Sequence, residues 1–335
     1  MIIGTNWLLG WSHTGAAADA GIKEKFQKAE DFYPVLHTYL EYVPFKVNPT
    51  RLYTGKSIYR GYDGRKPQSF SNSYDQKVYR HYIEKGKHAK DPLEAAARAI
   101  HDFYVMKQLQ HFLKRYPRTR VAGVMGGNAM LRTDESYLDV VRLSKRLTEE
   151  GFLMCSGGGS GAMEATNLGG MLAGRTEAEM LDAVSILCQA PSQHDKDYLE
   201  RSFEVIKKYP RLKGYNTLSI PTWLYGHEPT NPFASHIAKL FDNSIREDTL
   251  LTIAYGGIIF SPGSAGTIQE IFQDALQNQY NTLGVNSPMV FLNKKYWTEK
   301  VPIYDTLYRL RELGTYNQLQ LTITDDYREA AQVIM

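Results

Sequence analysis

Beyond residue 120, apolar and polar positions fall into two alternating patterns. Short runs of apolar and β-branched residues are bounded by glycine or polar turns, and longer stretches repeat apolar residues every three or four positions. The short runs predict strands over 121–126, 152–155, 183–189, 218–223, 257–261, 288–292 and 319–323. The longer ones predict helices over 134–149, 161–173, 198–208, 235–252, 304–313 and 326–334, with another after the strand at 257–261. Strands that are apolar without alternation are buried on both faces, and their regular exchange with helices gives an α/β fold with a doubly wound, mostly parallel sheet. Just upstream, Asp91-Pro92-Leu93-Glu94 starts a helix with an N-cap acid and proline at its first position. Its stripe of Leu93, Ala97, Ile100, Tyr104, Leu109, Phe112 and Leu113 reaches about residue 115, and Pro117 ends it. Residues 1–90 have little sustained periodicity and many tyrosines, arginines, lysines and glycines; they read as an irregular N-terminal extension.

Three of the expected strands run into glycine turns. Val121 to Met125 meets Gly126, Gly127 and Asn128. Phe152 to Cys155 meets Ser156-Gly157-Gly158-Gly159-Ser160-Gly161, and Gly256 to Phe260 meets Ser261-Pro262-Gly263-Ser264-Ala265-Gly266-Thr267. Glycines let an anion approach the backbone, and the first amides of the following helix have no intrahelical partners, so phosphate is the natural ligand. In a doubly wound sheet such loops gather at the carboxyl ends of the strands, where ligands bind. Residues 91–335 therefore read as a Rossmann-like nucleotide-binding domain. No acid ends the strand after a glycine loop to hold a ribose diol as in dinucleotide folds, and no loop ends in Lys-Ser or Lys-Thr, which argues against triphosphate hydrolysis.

Composition changes this picture little. The 335 residues are 43% hydrophobic and 22% charged, and a formal charge of +3 is too small to call for a nucleic-acid partner. Two cysteines, Cys155 and Cys188, stand at or near expected strand ends and read as reduced, packed thiols. No stretch suits a membrane span, and Met1 to Trp7 lacks a basic signal-peptide start, so a cytoplasmic protein is expected. The nine histidines form no ligand pattern, and neither a metal nor a cofactor is expected.

Residues 156–165, SGGGSGAMEA, and 262–270, PGSAGTIQE, resemble the signature of the "lonely guy" phosphoribohydrolases, once labelled lysine decarboxylases. The family motif PGGxGTxxE is matched at Pro262, Gly263, Gly266, Thr267 and Glu270, with Ser264 in place of a glycine. The first motif is closest to the longer bacterial relatives that split nucleoside 5'-monophosphates into free base and ribose 5-phosphate. The likeness covers residues 118–335 and implies a catalytic Glu270, a catalytic Arg246 on the preceding helix, and a homodimer or higher homo-oligomer. It also implies a nucleotide held by Gly126, Gly127, Asn128, Gly157, Gly158, Gly159, Ser160, Gly161, Met163, Glu164, Gly263, Ser264, Ala265, Gly266 and Thr267.

Each residue also has a plainer role. Glu270 in a first helical turn complements the helix dipole. Arg246, beside an apolar line of Ile237, Phe241 and Ile245, sits where it can reach either solvent or a site, and Met163 suits core packing equally well. The Tyr/Arg-rich residues 51–80 read as a lid, an anion site or an interface. A non-catalytic nucleotide-binding or sensing protein of the same fold is the main alternative, and base exchange by a deoxyribosyltransferase-like enzyme is a third. No lysine stands at a glycine loop to form a Schiff base with pyridoxal phosphate.

Overall fold

The computed structural model of the protein describes residues 29–335; the Met1 to Trp7 start lies outside them. Seven strands, all parallel, form one sheet: β1 (Val121–Met125), β2 (Leu153–Ser156), β3 (Thr217–Ser219), β4 (His236–Ile237), β5 (Gly257–Phe260), β6 (Pro288–Leu292) and β7 (Gln320–Thr324), in the spatial order β4-β3-β2-β1-β5-β6-β7. The chain steps outward from β1 to β4, returns to lay β5 on the free side of β1, then continues to β7. Gly123 thus lies between Cys155 of β2 and Ile258 of β5. The direction of winding reverses between β1 and β5, and the crevice beyond their carboxyl ends is the expected ligand position.

Successive strand residues feed opposite cores, as the period of two requires. Val121, Leu153, Cys155, Leu218, Ile258, Phe260, Met289 and Phe291 enter one, and Ala122, Val124, Met154, Ile259, Val290 and Leu292 the other. The second core is closed by helices Glu135–Glu149, Ala162–Met171, Glu177–Leu187, Tyr198–Lys208 and Tyr327–Ile334. The first packs under helices Pro92–Leu113, Asn243–Thr252, Ala265–Gln279 and Ile303–Glu312.

The same first core takes in Phe45, Leu52, Tyr53, Ile58, Tyr59, Val78 and Tyr82 of the extension. The described part of the extension holds α1 (Ala29–Leu40), the single turn α2 (Gly55–Ile58) and α3 (Tyr74–Glu84). Later helices are α4 (Pro92–Leu113), α5 (Glu135–Glu149), α6 (Ala162–Met171), α7 (Glu177–Leu187), α8 (Tyr198–Lys208), α9 (Asn243–Thr252), α10 (Ala265–Gln279), α11 (Ile303–Glu312) and α12 (Tyr327–Ile334). Tyr53 makes a two-bond antiparallel bridge with Ile237, its amide donating at 2.9 Å and its carbonyl accepting at 2.8 Å. The bridge covers the edge of the two-residue strand β4, which would otherwise offer unpaired backbone.

Two expected elements are different in the structure. Residues 183–189 are not a strand: they fall at the end of α7. Thr176 and Glu179 form a reciprocal capping box that starts this helix, and its Met180, Ala183, Val184, Ile186 and Leu187 are buried. From Ala183 to Cys188 every residue but Ser185 is apolar, and a short apolar run does not by itself separate helix from strand. Residues 235–252 are not one helix either. The chain is extended through β4, and α9 begins only after Asp242, which accepts from the amides of Ser244 and Ile245. Ile237, Phe241 and Ile245 therefore do not share a helix face; the first two are buried and Ile245 is exposed. Expected strand 218–223 ends early as well, with Trp223 starting a 3-10 turn. No helix among the described residues is long and apolar enough to cross a membrane.

Candidate active site

The glycine loops interlock at the β1/β5 crevice. Gly127 donates its amide to the Pro262 carbonyl at 2.9 Å, and its own carbonyl accepts from Ala162 at 3.2 Å. One residue of the β1 loop thus ties the β5 loop to the start of α6. Gly161 makes that contact possible: its φ is +63°, and a Cβ there would stand 2.3 Å from the Gly127 carbonyl oxygen. Gly126 lies against Ser261 and Ala162. In the β5 loop Gly263 and Thr267 are buried, whereas Ser264, Ala265 and Gly266 face outward at the start of α10. Their amides have no intrahelical partners, and Ser264 lines the crevice beside Gly263.

Three cavities adjoin here. One of about 490 Å³ runs from Gly127 and Asn128 past Gly263 and Ser264 to Tyr296 and Lys300. A second, about 400 Å³, lies between Asn128, Ser160, Gln193, His194 and Glu228. A narrow third, about 50 Å³, is walled by Gly157 to Gly159, Met163, Glu228, Lys239 and Arg246. Asn128 and Glu228 meet at the seam, Asn128 Nδ2 donating to Glu228 Oε1 at 2.8 Å. The 157–159 loop is braced by Asn231, whose amide donates to the Gly158 carbonyl at 2.9 Å and whose Nδ2 donates to that of Gly159 at 3.1 Å. Ser160 Oγ bonds the Asn128 carbonyl and Gln193, each at 2.9 Å.

Arg246 is buried rather than at an edge facing solvent. Its Nε donates to the Ile220 carbonyl at 2.9 Å and its Nη2 to that of Gly157 at 3.4 Å. The start of its helix is fixed from α4: the Asp102 carboxylate accepts from the Phe241 amide at 3.0 Å and the Asp242 amide at 2.8 Å. A Cβ on Gly157 would stand 2.1 Å from Arg246 Nη2 and 2.8 Å from Met163 Sδ. Both are ends of long side chains that can turn away. Gly157→Ala is therefore expected to change folding stability by less than about 1 kcal/mol, while displacing Arg246. Chemical denaturation checks the first effect, and a crystal structure of the variant the second.

Glu270 lies in the second turn of α10, not the first, so the first-turn dipole role does not apply to it. It is partly buried and accepts no hydrogen bond from any described residue. Burial raises its carboxyl to about 7; the Arg246 charge opposes that rise and the Glu247 charge adds to it. Arg246 and Glu270 thus feel one another's charge, with no hydrogen bond or ion pair between them.

Glu164 is fully buried and all its acceptor capacity is used. Arg132 grips it in a bidentate pair at 2.7 and 2.8 Å, Tyr137 donates to Oε1 at 2.7 Å, and Tyr198 to Oε2 at 2.6 Å. Its carboxylate anchors α6 to α5 and α8 rather than facing a ligand. Met163 contributes to the narrow cavity, its sulfur accepting from the Gly159 amide at 3.4 Å. Cys155 is buried in β2 with its thiol pushed up to about 12, and Cys188 ends α7, not a strand, and donates to the Arg132 carbonyl at 3.1 Å.

Sequence reasoning missed Glu228, Asn231 and Lys239, all between β3 and α9. The available signal was a polar, proline-containing loop, Gly226-His227-Glu228-Pro229-Thr230-Asn231-Pro232, at the carboxyl edge of the sheet. The extension holds this loop from behind. Lys239 Nζ donates to Asp75 Oδ1 at 2.7 Å and to Thr230 at 2.8 Å, Trp223 Nε1 donates to the same Asp75 oxygen at 3.0 Å, and the Tyr59 hydroxyl donates to the Thr230 carbonyl. Compared with known protein families and curated sequences, the chain matches no family model and no curated protein.

Proposed function

We propose that the protein hydrolyses the N-glycosidic bond of nucleoside 5'-monophosphates to free base and ribose 5-phosphate, as its resemblance to the lonely guy phosphoribohydrolases implies. The observation that carries this reading is Glu270: a carboxyl with no hydrogen-bond donor among the described residues, raised to about 7 by burial and within the field of the buried Arg246. Such a carboxyl exchanges a proton near neutrality. In the reaction a water oxygen bonds to C1' as the C1'–N bond breaks, the bonding pair staying on the base nitrogen. One water proton passes to Glu270 and on to the base. The carboxylate also stabilises the positive charge that builds on the sugar before water arrives.

The 5'-phosphate is assigned to the amides of Ser264 to Thr267, with Lys300 on the same cavity wall as a counter-charge. The same reading includes a homodimer or higher homo-oligomer. Incubation with a panel of purine and pyrimidine nucleoside monophosphates, followed by chromatography of the free bases, tests the function. Release from at least one of them is expected; folded protein that releases none overturns it. Tight nucleotide binding without release, unchanged in Glu270→Gln, would instead select the non-catalytic reading.

A further inference from the structure

The carboxylate of Glu228 has one oxygen committed and one open. Oε1 accepts from Asn128, which fixes the side chain, while Oε2 accepts no hydrogen bond from any described residue and lies 3.8 Å from where a Cβ on Gly159 would be. The side chain is only 20% exposed. At the same point above Gly159 the Met163 methyl is nearer still, at 2.8 Å, so the open oxygen faces the loop across the end of a flexible side chain.

The position of this pair is unusual. Asn128 lines both wide cavities, and Glu228 lines the middle and the narrow one, so their hydrogen bond is where all three adjoin. A nucleotide whose phosphate sits in the cavity of about 490 Å³ and which crosses the wall that Asn128 shares puts its sugar in the cavity of about 400 Å³, beside this pair. An ionised carboxylate only accepts hydrogen bonds. The ribose is the one part of a nucleoside monophosphate that offers two adjacent O–H donors. On this basis, and resting on the proposed reading of the site, we infer that Glu228 binds the ribose diol and makes the site select ribo- over 2'-deoxyribo-phosphates.

Calorimetric titration with ribose 5-phosphate, 2-deoxyribose 5-phosphate and inorganic phosphate tests this without any need for turnover. The wild-type protein is expected to bind ribose 5-phosphate at least about tenfold tighter than the deoxy sugar, as loss of a hydrogen bond to a charged group implies. Glu228→Gln keeps an acceptor for Asn128, so the fold is retained, and it is expected to bring that ratio within about threefold; Glu228→Asp, which withdraws the carboxylate, should do the same. Inorganic phosphate should bind all three proteins alike. An unchanged ratio in both variants, or no preference in the wild type, overturns the assignment of Glu228 and leaves the proposed function standing. Failure of the wild type to bind any of the three ligands overturns both.

Discussion

Glu270→Gln is expected to lower kcat/KM for nucleoside monophosphates by about 10²–10⁴-fold, and at the same time to make the protein more stable at pH 8. The two effects share a cause. Burial holds the carboxyl at about 7, whereas its ordinary value is 4.5. Between those values the folded state carries a proton that the unfolded chain has released, so stability falls as pH rises from about 4.5 through 7. Once both states are ionised the accumulated cost is at most about 3 kcal/mol, less where solvent reaches the side chain. Glutamine carries no charge to desolvate and removes that cost. Wild type and variant should therefore have similar denaturation midpoints near pH 4.5 and diverge toward pH 8, the variant being the more stable. A stability difference with no pH dependence would show that Glu270 ionises as an ordinary exposed carboxylate. In the wild type, kcat/KM should drop below about pH 7 as the base becomes protonated. Full activity at pH 5 would exclude Glu270 as the group that accepts a proton from water.

Glu164→Ala should cost about 3–5 kcal/mol of folding stability. The substitution strands the Arg132 guanidinium, which is 2% exposed, and two buried tyrosine hydroxyls. Arg132 would keep only the carbonyls of Ala190 and Tyr198 and the Ser202 hydroxyl, none of them charged. Urea denaturation of the purified variant measures the loss, and a value below about 1 kcal/mol would mean that the pair is solvated. The contrast with Glu270 is instructive. Two glutamates follow two glycine loops at similar distances, yet one carboxylate is saturated by four hydrogen bonds and the other accepts none from the described residues. A motif does not separate them; their surroundings do.

Much of the frame was legible in the chain. Strands at 121–126, 152–155, 257–261 and 288–292 were readable because parallel strands buried on both faces are apolar throughout, and the first three of them run into glycine turns. α8 and α12 were readable for the opposite reason, each having one apolar and one polar face. Helix α7 defied the pattern because its second half, Ala183 to Cys188, is apolar at every position but Ser185 and so reads like a buried strand. The stretch before α9 did so because Asp102, some 140 positions away in sequence, holds the amides of Phe241 and Asp242 and delays the helix.

The sequence by itself determined the α/β class, most of the parallel strands and the three glycine turns, since these depend on local backbone freedom and on the periodicity of burial. Only the tertiary structure decided which carboxylates are free to act. The Arg132–Glu164 pair, the seam of Asn128 and Glu228, and the extension's Asp75 under Lys239 all join residues far apart in the chain. The state of a charge is set by the donors and the burial that the fold brings to it, and no local pattern encodes either.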